Sequence, residues 1–258
     1  MRARENRFKA LLAEGRQQIG LWSSLASNIA AEVVRDSDFD WVLIDMEHSP
    51  NELASVLAQL QVFESGRPSP IVRPPWNEPV IVKRLLDLGV PSLLFPMVQG
   101  VEDAERAVAA TRYPPRGVRG MSLNQRANRF GRVRDYISTS EEGICAIVQI
   151  ETRSALAAIE VIAAVDGVDA VFFGPADLST DMGLPGQPAH PDVRSAILDG
   201  LSRCKKAGRR VGLLSTSEPD SLMYLKAGFD FVSVGSDTAL LARNADALCE
   251  RIRAGARP

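Results

Sequence analysis

Residues 145–177 read CAIVQIETRSALAAIEVIAAVDGVDAVFFGPAD, and their pattern is the strongest indication of the fold. Two apolar runs, CAIVQIE (145–151) and AVFFGPAD (170–177), flank an amphipathic segment, SALAAIEVIAAV (154–165). Runs of nearly continuous hydrophobicity are typical of strands that are buried on both faces of a parallel sheet. The stretch therefore predicts a strand–helix–strand unit, and both of its strands end in polar residues.

The same alternation extends along the whole chain. Six more apolar runs are IGLWSS (19–24), WVLIDME (41–47), PIVRP (70–74), SLLFPMV (92–98), RVGLLS (210–215) and DFVSVGS (230–236). Further helical patterns cover residues 51–63, 101–112, 191–208, 219–228 and 238–254. Eight strand-then-helix units in about 250 residues predict an α/β fold of the (β/α)8 TIM-barrel type. A doubly wound open sheet is the alternative, but no G-x-G-x-x-G motif opens the first helix.

We expect one domain over residues 1–258, because no linker-like or low-complexity segment divides the chain. The basic N-terminal segment is predicted to form a first helix across the end of the barrel. Gly208 and Gly228 follow helical patterns with basic ends, which is the usual chemistry of a helix stop. Only residues 113–142, rich in Arg, Gly and Pro, depart from the alternation of apolar runs and helical segments. We interpret them as a long active-site loop with some helix.

Composition narrows the class of partners. A formal net charge of -2 gives no general attraction to nucleic acid or to anionic membranes. No apolar stretch approaches the roughly 20 residues that span a bilayer, and no apolar region follows the basic N-terminus to make a secretory signal. The three cysteines, Cys145, Cys204 and Cys249, form no C-x-x-C pair, so we expect reduced thiols in a cytoplasmic protein.

Polar residues follow several of the apolar runs. In a TIM barrel the working residues lie at the C-terminal ends of the strands and in the loops that follow. Packing alone does not explain why so many apolar strands end in polar residues at one rim of the barrel. The expected rim residues are Asp45, Glu47, His48, Arg73, Gln149, Glu151, Gly174, Pro175, Ala176 and Asp177.

Glu151 and Asp177 end neighbouring predicted strands, so their carboxylates can share one cation. Two protein oxygens completed by water and substrate oxygens suit Mg²⁺ or Mn²⁺, which often keep an incomplete protein shell. The alternative for each acid alone is a helix-start residue stabilised by the helix dipole. The pair on adjacent strand ends favours the metal site.

Arg73 and His48 are the other candidates for chemistry. Arg73 ends an apolar strand, where a guanidinium can bind a substrate carboxylate through two hydrogen bonds or form a structural ion pair. His48 lies three residues after Asp45 and is a candidate general base, although a lone histidine is often structural. After Pro175, the backbone amides of Ala176 and Asp177 are candidates to face an anion. His190 is interpreted as part of a helix N-terminal turn.

None of the five lysines follows an apolar run. Schiff-base catalysis needs a desolvated lysine in the site, so carbonyl activation is expected to come from a metal. The lysines all fall in helical patterns, at Lys9, Lys83, Lys205, Lys206 and Lys226.

Seven segments resemble the HpcH/HpaI family of class II, metal-dependent pyruvate aldolases, which includes hydroxy-oxo-heptanedioate and 2-keto-3-deoxy-sugar-acid aldolases. The resemblance runs in order from about Phe8 to Arg251. The segments are LIDMEHSPN (43–51), VRPPWN (72–77), LLDLGVPSLLFPMVQ (85–99), RYPPRGVRG (112–120), VQIET (148–152), VFFGPADLSTDMG (171–183) and VGSDTALLARNAD (234–246).

The resemblance implies a role for each motif residue. Glu151 and Asp177 would hold a divalent metal (Mg²⁺, Mn²⁺ or Co²⁺), with no organic cofactor. Arg73 would bind the pyruvate carboxylate or stabilise the enolate. His48 would be the catalytic base, supported by Asp45 and Asp87. The implied substrate contacts are Arg73, Gln149, Gly174, Pro175, Ala176 and Ser215.

The implied activity is that of an aldehyde-lyase acting on a small 2-keto acid and an aldehyde. The implied assembly is a homohexamer, with the last helix (238–254) exchanged between subunits. Met46 replaces a glycine that many members carry, the loop 121–131 differs from the heptanedioate enzymes, and Ser215 stands where those enzymes are apolar. These departures concern the aldehyde side. An acyl-CoA lyase and a non-catalytic ligand-binding barrel are the alternatives, although no basic cluster supplies a nucleotide surface.

Overall fold

A computed structural model describes residues 5–256, and its eight strands close into one parallel barrel in the order β1 to β8. The predicted (β/α)8 fold is confirmed, and the open-sheet alternative is wrong because β8 pairs with β1. The strands are β1 (Gln18–Ser23), β2 (Trp41–Asp45), β3 (Ser69–Arg73), β4 (Ser92–Phe95), β5 (Cys145–Ile150), β6 (Ala170–Phe173), β7 (Arg210–Leu214) and β8 (Phe231–Ser236).

Helices follow the strands and cover the outside of the barrel. The predicted segment at 154–165 is interrupted at Ala158 and forms two short helices. Gly208 and Gly228 follow helix ends with φ angles of 73° and 100°, as the helix-stop patterns predict. The helices are α1 (Arg7–Ala13), α2 (Asn28–Arg35), α3 (Leu53–Phe63), α4 (Pro79–Asp87), α5 (Val101–Thr111), α6 (Tyr136–Gly143), α7 (Arg153–Ala157), α8 (Ile159–Ala164), α9 (Pro175–Asp181), α10 (Pro191–Lys206), α11 (Glu218–Ala227) and α12 (Asp237–Gly255).

Aromatic side chains fill the inside of the barrel at its N-terminal end. Helix α1 lies across this end, as expected, and inserts Phe8 between the rings of Trp41 and Phe231, at centroid distances of 6.2 and 5.2 Å. A Cβ atom at Gly20 would lie 2.2 Å from the Trp41 ring, so glycine is required there. The interior is therefore packed rather than open, and substrate access is restricted to the opposite end.

The second part of the core lies between the sheet and the helices. It contains apolar faces such as Val56, Leu60 and Phe63 of α3, packed against outward-facing strand residues. Cys145 is fully buried, as expected for a small apolar side chain. Within residues 5–256, no helix is long and apolar enough to cross a membrane.

Residues 113–142, interpreted from the sequence as a long active-site loop, do not lie at the mouth of the barrel that their own chain forms. The segment leaves the C-terminal end of α5 and leads into the start of β5, so it lies at the N-terminal end of the barrel. Ala127 donates its N–H to Asp87 O at 3.1 Å, and Asn6 Nδ2 lies 3.1 Å from Gly143 O. The expected helical part is present as α6.

Helix α12 packs loosely on the rest of the chain. Asp237 is its one buried residue within the described range, and Leu240, Leu241, Leu248 and Ile252 are exposed. Its bounds agree with the predicted helix at 238–254. Exchange of this helix between subunits stays a prediction.

Candidate active site

The C-terminal ends of β2 and β3 bring Asp45 and Arg73 together. The two residues are register partners in the parallel ladder. Arg73 Nε and Nη2 donate to Asp45 Oδ1 and Oδ2 at 2.8 and 2.7 Å, and both side chains are almost completely buried. Trp22 donates its Nε1–H to Asp45 Oδ2 at 3.1 Å, and its ring lies 4.9 Å from the Arg73 guanidinium carbon. Arg73 is therefore fixed in one orientation.

Electrostatics keep this pair charged. Burial acts to raise the pKa of Asp45, but the hydrogen bonds and charge of Arg73 outweigh it and leave that pKa lowered. Arg73 Nη1 also lies 2.9 Å from Glu47 Oε2. Since a guanidinium has five N–H donors and Asp45 engages two, Arg73 can still donate to an incoming carboxylate.

Glu151 follows β5 and points into the mouth of the barrel. Its side chain is buried, and Oε1 accepts the Met97 N–H at 2.6 Å while Oε2 accepts from Gln149 Nε2. Met97 has a φ of 52°, an uncommon left-handed conformation for a non-glycine residue, and this conformation aims its amide at the carboxylate. Gln149 Oε1 is buried without a hydrogen-bond partner in residues 5–256, so an acceptor is left for a bound molecule.

The pKa of Glu151 is raised to about 7. Burial is the main cause, and the Met97 amide opposes it. The negative charges of Glu47 and Asp177 raise the pKa further, so three carboxylates repel one another at this mouth. A bound cation is the natural way to relieve such repulsion.

Asp177 lies in the first turn of α9, and its side chain is exposed. The predicted Gly-Pro turn is the start of this helix: Gly174 is the N-cap and Pro175 occupies the first turn. A Cβ atom at Gly174 would lie 2.9 Å from Glu151 Oε2 and 2.8 Å from Gln149 Nε2. Glycine thus lets the start of α9 approach Glu151 closely.

The donor set fits a hard divalent cation. Glu151 and Asp177 offer carboxylate oxygens, and their pairing leaves the remaining positions to water or substrate. Among residues 5–256, no three His, Cys, Asp or Glu side chains group closely enough to form a complete metal cage. An incomplete oxygen shell of this kind suits Mg²⁺ or Mn²⁺ better than Zn²⁺.

His48 stands at the open side of the mouth, with a side chain that is 63% exposed. The acid that faces it is Glu47, whose Oε1 lies 3.9 Å from His48 Nε2. Asp45, the expected support, is instead occupied by Arg73 and Trp22. Ser215 follows β7 and borders a small pocket with Ala176 and Tyr224. Its contact with substrate stays a prediction.

Asp87 does not join the other expected site residues in this chain. It ends α4, and the next residues lead to the start of β4, so it lies at the N-terminal end of the barrel. Its carboxylate faces Arg119 Nη2 at 3.3 Å. Burial raises the pKa of Asp87 although the charge of Arg119 acts in the opposite direction. The expectation that Asp87 supports His48 therefore fails within a single chain.

Three contributors to the mouth were not assigned roles from the sequence. Glu47 was available as part of the rim motif, and Trp22 lies in the first apolar run. The Met97 amide had no sequence signal, since its role depends on one backbone dihedral angle. All five lysines lie in helices, as predicted.

Fold and site together define a (β/α)8-barrel enzyme class in which carboxylates and an arginine gather at the C-terminal mouth. The chain belongs to the HpcH/HpaI aldolase/citrate lyase family, whose model matches residues 18–244. A solved HpcH/HpaI aldolase/citrate lyase family protein from Burkholderia cenocepacia J2315 superposes with a TM-score of 0.93 at 38% identity, covering 96% of this chain and 99% of that one.

Two similar proteins carry aldolase names. The 4-hydroxy-2-oxo-heptane-1,7-dioate aldolase of Salmonella paratyphi C is 50% identical over 248 residues, which cover 96% of this chain and 94% of that protein. The pyruvate aldolase of Rhizobium etli is 51% identical over 246 residues, which cover 95% of this chain and 97% of that protein. These relatives favour an aldolase over the acyl-CoA lyase and non-catalytic alternatives.

Proposed function

We propose that the protein is a carbon–carbon lyase that runs a reversible aldol reaction between an aldehyde and pyruvate, or a close 2-keto acid such as hydroxypyruvate. The observation that carries the proposal is the buried, oriented Arg73 beside the carboxylate pair Glu151 and Asp177. A keto acid presents a carboxylate and a ketone side by side, which matches a guanidinium next to a cation site. The two aldolase relatives support the same reaction class.

Glu151 and Asp177 are the residues that would hold Mg²⁺, Mn²⁺ or Co²⁺. When bound, the cation supplies Lewis-acid polarisation of the ketone and balances negative charge at its oxygen. The proposed reaction needs no organic cofactor. The location in the cytoplasm stays a prediction from the sequence.

Arg73 donates to the substrate carboxylate and to the oxygen on which charge develops, while Asp45 and Trp22 hold it in place. In cleavage, His48 accepts the proton of the 4-hydroxyl group as the C3–C4 bond breaks. The aldehyde leaves, and the pyruvate enolate is stabilised by groups that are already oriented toward it. A proton from water then adds to C3 to give pyruvate, and His48 returns its proton to water. Synthesis is the reverse.

The remaining contacts position the keto acid. Gln149, with its unpartnered Oε1, is proposed to bind substrate from the floor of the mouth. The start of α9 at Gly174, Pro175 and Ala176 is proposed to lie along the carboxylate side. Ser215 borders the pocket next to Ala176 and is proposed to contact the substrate there.

A homo-oligomer, a hexamer by family resemblance, is the proposed working form. Since Asp87 lies at the end of the barrel opposite His48, it can support that histidine only from a second copy of the chain. The loop 121–131 lies at the same end of the barrel as Asp87. A second copy that supplies Asp87 would therefore also bring this loop to the site. The exposed leucines of α12 give the assembly an apolar face to bury.

The decisive experiment is exchange of the pyruvate C3 protons in deuterated water, followed by NMR. It tests enolate formation without knowledge of the aldehyde. Exchange that requires Mg²⁺ or Mn²⁺ and stops with excess chelator supports the proposal, and Glu151→Ala should remove it. No exchange with any metal would contradict the proposed half-reaction, and exchange that survives chelation would contradict the role of the cation.

A further inference from the structure

A chain of buried side-chain amides and hydroxyls lies beneath the loop that follows β2. Its members are Ser23 at the end of β1, Asn51 before α3, and Gln59 in the middle of α3. Gln59 is completely buried and the other two are nearly so. We refer to these three residues as the amide bridge.

Every polar atom of the Gln59 amide is used. Ser23 Oγ donates to Gln59 Oε1 at 2.9 Å, and Gln59 Nε2 donates to Asn51 Oδ1 at 2.7 Å. The Nε2 group also lies 3.2 Å from Ser55 O, one turn earlier in α3. A buried amide with all its partners is geometrically specific, because any displacement leaves a desolvated group unpaired.

The bridge ends at the backbone of the site. Asn51 Nδ2 donates to the carbonyl of Asp45 at 2.8 Å and to Ser49 Oγ at 2.9 Å, and Ser49 Oγ itself donates to the Asp45 carbonyl. Asn51 therefore closes the loop 46–50 onto the end of β2. This loop has no regular secondary structure and carries Glu47 and His48.

The other end of the loop is held by the sheet. Met46 donates its N–H to Arg73 O at 2.9 Å, and Glu47 donates its N–H to Asp45 Oδ1 at 3.0 Å. The His48 imidazole lies 3.9 Å from the Glu47 carboxylate, which is beyond hydrogen-bond distance. The position of His48 is thus set through the two ends of the loop, one of which depends on the amide bridge.

We propose that Gln59 is a positioning residue that, through Asn51, holds the loop 46–50 so that His48 faces the mouth. This inference rests on the proposed role of His48 in the reaction. Packing gives no reason for a glutamine here, since its neighbours on the same helix face, Val56, Leu60 and Phe63, are apolar. An apolar residue of similar size would fill the space without the cost of burying an amide.

The test uses Gln59→Met, which keeps the length of the side chain and its helix preference but removes all three hydrogen bonds. The matched control is Gln61→Met, two residues along the same helix on an exposed position. The chain has only two histidines, so uniformly ¹³C-histidine-labelled protein gives two imidazole signals, assigned with His190→Gln. His190 caps α10, where Nδ1 accepts the Asp192 N–H, and serves as the internal reference.

We expect Gln59→Met to move or broaden the His48 signal and leave that of His190 in place. We expect kcat for pyruvate exchange to fall roughly tenfold or more, because catalytic groups must be placed to within about an ångström. The KM for pyruvate should change less than about twofold, since Arg73 is untouched. Gln61→Met should match the wild type in both measurements.

Ser23→Ala tests the same bridge from its other end, because it removes the donor to Gln59 Oε1. This variant still tests the proposal if Gln59→Met does not fold. It should move the His48 signal in the same direction by a smaller amount. An unmoved His48 signal in the folded variants, or a moved signal with an unchanged kcat, would overturn the proposal. Absence of exchange in the wild type would instead contradict the proposed function, and the NMR signals would still report whether the bridge positions His48.

Discussion

Arg73 and Asp45 form a buried, two-point ion pair at the end of adjacent strands, with both hydrogen bonds between 2.7 and 2.8 Å. The indole of Trp22 both donates to Asp45 and lies against the guanidinium. A charge held this firmly needs no reorganisation when negative charge develops nearby. The pair is therefore suited to act on an enolate rather than only to tie two strands together.

Arg73→Lys should lower kcat/KM for pyruvate exchange by roughly 10²-fold or more, although the charge is retained. A lysine cannot reproduce the two parallel hydrogen bonds or the stacking on Trp22, so its ammonium is not fixed toward the substrate. The measurement is the NMR exchange rate at several pyruvate concentrations. Arg67→Lys is the control, because Arg67 forms exposed ion pairs at the other end of the barrel. Equal rates for the two variants would show that two-point binding is irrelevant.

Glu151→Gln should make the metal-free protein more stable at alkaline pH. The pKa of Glu151 is about 7 in the folded chain against an ordinary value of 4.5, so the folded state holds the proton more tightly. The free energy of unfolding therefore falls as pH rises through this window, by up to about 3 kcal/mol. Glutamine does not titrate and removes this pH dependence. The free energy of unfolding of the variant should therefore exceed that of the wild type at pH 8 and approach it at pH 5.

Urea unfolding in chelator at the two pH values measures the difference. Excess Mg²⁺ at pH 8 should raise the free energy of unfolding of the wild type but leave that of Glu151→Gln unchanged. Glu142→Gln, at an exposed position of α6, controls for the loss of one carboxylate. A stability difference that does not change with pH would contradict the raised pKa.

Much of the barrel was predictable because strands buried on both faces must be apolar throughout, and all eight runs are strands. The gathering of Arg73 and Glu151 at one mouth follows from the parallel direction of those strands. The sequence order also places residues 113–142 at the N-terminal end of their own barrel, since they follow a helix and precede a strand. The left-handed conformation of Met97 was not predictable from the sequence, because no residue type in that segment requires it.

Gly174→Ala should weaken metal binding without unfolding the barrel. The backbone at Gly174, with φ of -101°, accepts alanine, but the new methyl would lie under 3.0 Å from Glu151 Oε2 and Gln149 Nε2. The Glu151 carboxylate must then shift from its position, which should weaken Mn²⁺ binding about tenfold, or roughly 1.4 kcal/mol. Calorimetric titration measures the Kd, and thermal unfolding checks the fold. Gly100→Ala is the control, since nothing lies within 4 Å of its added Cβ, and an unchanged Kd for Gly174→Ala would contradict the crowding.

Mixed oligomers test whether Asp87 serves the His48 of another copy. Within one chain Asp87 faces Arg119 at the N-terminal end of the barrel, while His48 is at the C-terminal mouth. Asp87→Ala and His48→Ala should each lower pyruvate exchange strongly when prepared alone. If the two residues meet across an interface, random mixing of the two variants creates some sites with both residues intact, about a quarter of the total.

The variants should therefore recover a fraction of wild-type activity when they are unfolded and refolded together. Each variant refolded alone is the control, and analytical ultracentrifugation confirms that the assembly forms in every sample. Recovery requires an intact His48 on one chain and an intact Asp87 on its neighbour. Full activity of Asp87→Ala, or a mixture no more active than its components, would show that Asp87 is not part of the site. Glu47, the acid that faces His48 in its own chain, would then be the residue that supports His48.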